Sequence, residues 1–126
     1  MRKTRILVVD DHEMFRDGLK GLINQEADLE VVGEAENGEI AITLARELQP
    51  DVILMDVKMP VMDGIEATRR IVSDMPGMKV LALSMYSDAS LNSGMMRAGA
   101  LGYVVKGDDF EELSKTIHSI AQMRKP

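Results

Sequence analysis

The chain has 126 residues, a formal net charge of −6, no cysteine and 45% hydrophobic residues. That is enough chain for one domain with its own core, it excludes disulfides, thiolate metal sites and thiol catalysis, and its acidity argues against a nucleic-acid binder, which needs clustered Lys and Arg. No apolar stretch reaches the ~18 residues of a membrane span, and Met1-Arg2-Lys3 leads straight into the first apolar run without a signal-peptide core, so a soluble cytoplasmic protein is expected.

Five apolar runs alternate with five helical patterns. The first run, Ile6-Leu7-Val8-Val9, ends at Asp10 and Asp11. Phe15, Leu19, Leu22 and Ile23 then recur with the period of one helical face. Leu29, Val31 and Val32 make a short second strand, and Ile40, Ala41, Leu44, Ala45 and Leu48 a second helix stopped by Pro50. The third strand, Val52-Ile53-Leu54-Met55, ends at Asp56. A third helix is expected to open at Asp63 with Glu66 as its capping box, and to turn Ile65, Thr68, Val72 and Met75 inward. Val80-Leu81-Ala82-Leu83 ends at Ser84. Residues 87 to 97 read as a weak fourth helix, because Ser90, Asn92, Ser93 and Gly94 together give up about 2 kcal/mol of helix propensity relative to alanine; Gly94 alternatively lets that helix lie close to the sheet. Tyr103-Val104-Val105 ends at Lys106, and a fifth helix is expected to start at Asp108, capped with Glu111, with Phe110, Leu113, Ile117 and Ile120 on one face.

Continuous apolar runs suit parallel strands covered on both faces. Regular βα alternation with right-handed crossovers then gives a flavodoxin-like α/β fold, a three-layer αβα sandwich around a five-stranded parallel sheet of order 2-1-3-4-5. That order sets the first and third strands side by side and gathers Asp10, Asp11 and Asp56 at the carboxyl edge, where ligands of open α/β sheets sit.

Three carboxylates in one place should either raise one pKa or hold a divalent cation. With oxygen donors only, that cation is expected to be Mg²⁺. A carboxylate beside Mg²⁺ and facing a Lys suits acceptance of a phosphoryl group, because phosphoryl transfer needs positioning and charge neutralisation above all. Lys106 would supply the fixed positive charge and Ser84 a hydrogen bond. Asp51 lies at the opposite end of the third strand, about 16 Å from Asp56 at the usual rise, and reads as a strand-start residue. Asp63 reads as a helix cap. His12 is expected at an exposed first-turn position rather than in a hard oxygen site, and His118 on the surface.

The motifs LVVDDH (7 to 12), DVILMDVKMPVMDG (51 to 64), LALS (81 to 84) and AGALGYVVK (98 to 106) make the chain resemble a response-regulator receiver domain of a two-component system over essentially its whole length. Through VVDDHEMFRDGL, DLEVVGEAENG and DGIEATRRI it most resembles the branch with a C-terminal helix-turn-helix DNA-binding domain of the LuxR/NarL/FixJ type, a domain this chain does not contain. The resemblance implies a receiver over residues 1–123 and a linker or tail at 124–126. It makes Asp56 the phosphoacceptor, Asp11 a direct Mg²⁺ ligand, Asp10 a ligand largely through water, and the Lys58 backbone carbonyl a further metal contact. It makes Ser84 the switch hydroxyl, Tyr103 the aromatic that changes rotamer with it, and Lys106 the phosphoryl-binding lysine.

The implied partners are a sensor histidine kinase or phosphotransfer protein and, on phosphorylation, a second copy of the chain, with no nucleic acid bound by this domain itself. The implied role is a phosphorylation switch controlling an output such as transcription, not a turnover enzyme; the alternative is a degenerate receiver that binds proteins without phosphorylation. Two positions depart from the family: Gly107 stands where proline often follows the lysine, so the geometry of that loop does not carry over, and Met85 is bulkier than the usual small residue and is expected to restrict access to Asp56.

Rival sites fit less well. Asp10-Asp11-His12-Glu13 would repel a flavin phosphate, Lys58 stands where a haloacid-dehalogenase-type phosphatase needs a second acid, and a dinucleotide fold would need G-x-G-x-x-G.

Overall fold

The computed structural model describes residues 2–84 and 89–123. Its elements run β1 (Thr4–Val9), α1 (Glu13–Gln25), β2 (Leu29–Ala35), α2 (Gly38–Leu48), β3 (Val52–Asp56), α3 (Gly64–Asp74), β4 (Val80–Ser84), α4 (Ala89–Ala98), β5 (Gly102–Val105) and α5 (Phe110–Ala121). All neighbouring strands pair in parallel, in the order β2-β1-β3-β4-β5 expected from the alternation.

The apolar runs divide by parity between two cores, as the period of a strand demands. Leu7, Val9, Ile53, Met55, Val80 and Ala82 pack under α2, α3 and α4 with Ala41, Ala45, Ala67, Ile71 and Met95. Ile6, Val8, Val52, Leu54, Leu81 and Leu83 pack under α1 and α5 with Leu19, Ile23, Leu113 and Ile117. The strand ends inherit this parity: Asp10, Asp56 and Lys106 continue the positions of Val8, Leu54 and Val104, all in the α1/α5 core. Ser84 has the opposite parity, and because it pairs with Val105 while Ala82 pairs with Tyr103, Ser84 and Tyr103 share the other face.

Several local expectations change. The cap of α5 is Asp109, whose side chain accepts from Glu111 N, so the helix cap lies one residue later than the Asp108 expectation. Asp63 does cap α3 through Glu66 N, but the Glu66 carboxylate pairs with Arg69 and Arg70 instead of reaching back, so only half of the capping box forms. Leu22 and Ile40 are exposed at 44% and 37%, because each stands at the margin of its helix's apolar stripe. A Cβ on Gly94 would lie 3.0 Å from Ile65 Cδ1, so the close approach there is between α4 and α3, not between α4 and the sheet. His118 is half-buried: its Nε2 lies 2.7 Å from Asp28 Oδ2 and its Nδ1 2.8 Å from the Ser114 carbonyl, tying α5 to the loop before β2. The expectation for Met85, the first residues of the fourth helix (87 and 88) and the tail 124–126 lie outside the described residues.

Candidate functional site

The carboxyl edge of the sheet brings Asp10, Asp11, Asp56 and Lys106 together. Lys106 Nζ lies 2.6 Å from Asp10 Oδ2 and 3.1 Å from Asp56 Oδ2, with all three side chains nearly sealed from solvent. Both Oδ2 atoms meet the ammonium as ion pairs but form no well-directed hydrogen bond. Asp56 Oδ1 accepts from Val57 N at 2.9 Å. Asp11 is partly open to solvent and forms the mouth of the cluster.

Electrostatics follow from this crowding. Burial, then the neighbouring Asp10 charge, pushes the Asp56 carboxyl up to about 7, against the pull of Lys106 in the other direction. The pocket therefore holds more negative charge than one lysine neutralises.

The backbone around Asp56 is fixed by close approaches. Gly64 N donates to Val57 O at 2.7 Å, and a Cβ on Gly64 would sit 1.9 Å from the Asp56 carbonyl oxygen, so α3 can begin here only with glycine. Between them Val61 has φ of 69°, and Met62 N donates to Pro60 O at 2.7 Å, a γ-turn that is strained for a β-branched residue. Gly38 N holds the end of this loop by donating to Met62 O at 3.0 Å. Lys58 sits exposed on the loop.

On the opposite wall, Lys106 N donates to Ser84 O at 2.7 Å. The Lys106-Gly107 peptide is trans, and Gly107 takes φ of 91°, a conformation glycine adopts without penalty. Ser84 is buried at the end of β4, and Tyr103 is 48% exposed, turned away from the cluster.

Three residues belong to the site that the sequence reading placed elsewhere or passed over. His12 caps α1 with no side-chain cap hydrogen bond, and its Nδ1 lies 3.1 Å from Asp10 Oδ1 and 3.3 Å from Asp11 Oδ1. Ligand atoms of Asp10, Asp11, His12 and Asp56 lie within 4.8 Å of one another. The ring is half-exposed as expected, yet it is part of the cluster. Phe15 lies under Lys106, with Nζ 4.9 Å from the ring centroid. A cation over an aromatic face is attracted by the ring quadrupole, so Phe15 helps hold the ammonium between the carboxylates. Its i+4 spacing to Leu19 marked it only as core. Arg16 completes the surround, donating to the Asp10 carbonyl at 2.6 Å and to Glu34 at 2.6 Å.

Such a donor set fits a hard divalent cation: carboxylate oxygens dominate, two of them buried without directed hydrogen bonds, beside an opening lined by Asp11.

Comparison with known proteins agrees with this geometry. Residues 6–118 match the model of the response regulator receiver domain. The chain belongs to that family. It is 41% identical over 120 residues to the transcriptional regulatory protein DegU of Brevibacillus brevis, covering 95% of this chain and 51% of that protein. It is 42% identical over 116 residues to the response regulator GacA of Pseudomonas aeruginosa, covering 92% and 54% respectively. The chain thus spans about half the length of the curated relatives it matches. Among solved structures, a LuxR-family two-component response regulator from Aurantimonas sp. SI85-9A1 superposes with a TM-score of 0.91 at 36% identity, over 98% of this chain and 88% of that one. The receiver domain of the putative response regulator NarL from Mycobacterium tuberculosis gives 0.93 at 31% identity, over 98% and 100%. The receiver domain is a regulatory module, and among the described residues no helix is long and apolar enough to cross a membrane.

Proposed function

We infer that Asp56 is the phosphoacceptor of this receiver and takes its phosphoryl group from a phosphohistidine on a sensor kinase or phosphotransfer protein. The observation that carries this reading is the Asp56 carboxyl itself, buried beside Lys106 and crowded by Asp10 until its pKa reaches about 7. A carboxylate oxygen of Asp56 attacks phosphorus in line. The P–N bond to the donor imidazole breaks as the O–P bond forms, and the leaving nitrogen keeps the electron pair. The product is an acyl phosphate that stays on the protein, so the domain is a stoichiometric acceptor and not a turnover enzyme.

Asp11 and Asp56 would hold Mg²⁺ directly, with the Lys58 carbonyl, and Asp10 through water; when bound it neutralises the charge of the carboxylates and of the incoming phosphoryl oxygens. Lys106 holds a further positive charge at the acceptor. Ser84, on the β4 end facing away from the α1/α5 core, donates its hydroxyl to the transferred group. Tyr103, on the same face of β5 and exposed in this structure, turns inward after Ser84 moves. That couples chemistry at Asp56 to the face formed by α4 and β5, and a second copy of the chain is a partner on phosphorylation.

The receiver comprises residues 1–123, with 124–126 a linker or tail, and the output it controls is transcription. This domain itself binds no nucleic acid. A kinase charged from ATP puts the exchange in the cytoplasm.

The test is incubation with acetyl phosphate and Mg²⁺ followed by intact and peptide mass spectrometry. One phosphoryl group on Asp56, absent in Asp56→Asn, supports the reading. No label from acetyl phosphate, carbamoyl phosphate or phosphoramidate would instead make this a phosphorylation-independent binding module.

A further inference from the structure

Resting on the reading of the carboxylate cluster as the cation site, we propose that His12 is a nitrogen ligand of that site and gives it a His12-dependent affinity for Co²⁺ and Ni²⁺. Geometry is the first support. Ligand atoms on adjacent vertices of an octahedron with bonds of about 2.1 Å lie about 3 Å apart, and His12 Nδ1 stands 3.3 Å from Oδ1 of Asp11, the carboxylate that would hold the cation directly. A cation held by Asp11 would therefore have the ring nitrogen beside it.

The ring is also free of other duties. His12 is the N-cap of α1, but its side chain makes no cap hydrogen bond; its backbone N–H already satisfies Asp10 Oδ1 at 2.8 Å. Among the described residues the imidazole thus rests on the two carboxylates, and its exchange of that contact for a metal bond leaves the backbone hydrogen bond at the helix start in place. Meanwhile the buried Asp10 and Asp56 share the single ammonium of Lys106 through their Oδ2 atoms, at 2.6 and 3.1 Å. The cluster is short of positive charge, and His12 is the donor on its open side.

Ligand chemistry gives the direction of the effect. Three carboxylates alone suit Mg²⁺, whereas an added imidazole suits Co²⁺, Ni²⁺ and Zn²⁺, which bind nitrogen far better than Mg²⁺ does. Mg²⁺ completes its shell with water and gains little from His12.

The experiment titrates the whole chain with MgCl₂, CoCl₂ and NiCl₂ by calorimetry, and records the visible absorption of the Co²⁺ form. His12→Ala weakens Co²⁺ and Ni²⁺ by about tenfold or more and changes the Co²⁺ spectrum. Its Mg²⁺ affinity stays within about twofold. His118→Ala, which removes the only other histidine, changes neither. His12→Gln keeps a polar side chain and separates ligation from local packing, since it loses Co²⁺ affinity as His12→Ala does. Equal losses for Mg²⁺ and Ni²⁺, or Ni²⁺ affinity untouched by both variants, would overturn the role of His12. If Asp11→Ala left all three affinities unchanged, the carboxylate site itself would be wrong, a separate result from the failure of His12.

Discussion

The two ends of the sheet use the same residue types to opposite effect. At the amino edge, Asp51 accepts from Arg5 N at 2.8 Å and from Arg2 at 2.6 Å, and the buried Lys79 donates to the Ala121 carbonyl at 2.8 Å. Each charge there has its own partner, and Asp51 keeps a share of solvent. At the carboxyl edge, Asp10 and Asp56 divide one ammonium between them, Asp11 stands beside them, and among the described residues no second lysine pairs with them. One end is closed chemically. The other end leaves its carboxylates short of counter-charge, above the buried residues of β1 and β3.

The lysines give the largest test of this contrast. Lys106→Ala leaves buried carboxylates without their counter-charge and should cost about 3 kcal/mol at pH 8 without divalent cations, as breaking a buried ion pair does. It should also weaken phosphoryl retention on Asp56. Lys79→Ala removes one hydrogen bond to a backbone carbonyl and should cost about 1 kcal/mol, with labelling of Asp56 unchanged. Urea denaturation of both variants measures the difference, and equal costs would erase the distinction between the two ends.

The aspartates should separate in sign. Asp51→Ala strips acceptors from the Arg5 N–H and Arg2 and should destabilise by about 1–2 kcal/mol. Asp56→Asn removes one of three crowded charges while keeping the shape of the side chain, and should stabilise the cation-free protein by about 1 kcal/mol at pH 8. A destabilised Asp56→Asn would mean that Asp56 is held as tightly as Asp51.

Much of this contrast was readable in the sequence, for a physical reason. A strand buried on both faces must be apolar along its length, so the first polar residue after the runs of β1, β3 and β4 marks the carboxyl edge at Asp10, Asp56 and Ser84, while Lys106 ends the part-exposed edge strand β5 in the same way. What could not be read were relations through space. Phe15 fits a helical stripe whether or not a lysine lies over it, and only the placement of β5 puts Lys106 there. His12 was set aside on ligand type, a rule about the ion that says nothing about where the α1 cap turns the ring. The start of α5 slipped because Asp108 and Asp109 are equally good caps by composition, and the Gly107 turn decides between them.

The pH dependence of stability tests the same end of the molecule. The Asp56 carboxyl sits at about 7 when folded, above its ordinary value of 3.8, so between these the folded state binds more protons than the unfolded one. Stability from this group is present in full below the unfolded value and is lost as pH rises toward 7, the reverse of the salt-bridged aspartate case. The slope cannot exceed about 1.4 kcal/mol per pH unit for one proton, and solvent screening brings it below that. Chemical denaturation between pH 4.5 and 8 without divalent cations, in ranges of about half a pH unit, should show this decline in the parent and its absence in Asp56→Asn. A parent curve that climbs over that window would place the Asp56 carboxyl below its ordinary value.

The smallest effect is the response to Mg²⁺, and it decides which end a cation finds. A ligand bound only by the folded state stabilises it by RT ln(1 + [L]/Kd), about 1 kcal/mol at five times Kd. Mg²⁺ should therefore raise the melting temperature by a few degrees, as a change of about 1 kcal/mol does in a domain of this size. It should also flatten the pH decline, because a cation among the carboxylates favours the ionised form of Asp56. Asp11→Ala should lose the response. Asp51→Ala, though destabilised, should keep it in full, since the amino edge has no unpaired negative charge to offer. A response that survived in Asp11→Ala and vanished in Asp51→Ala would move the cation to the wrong edge of the sheet and with it the whole distinction between the closed end and the open one.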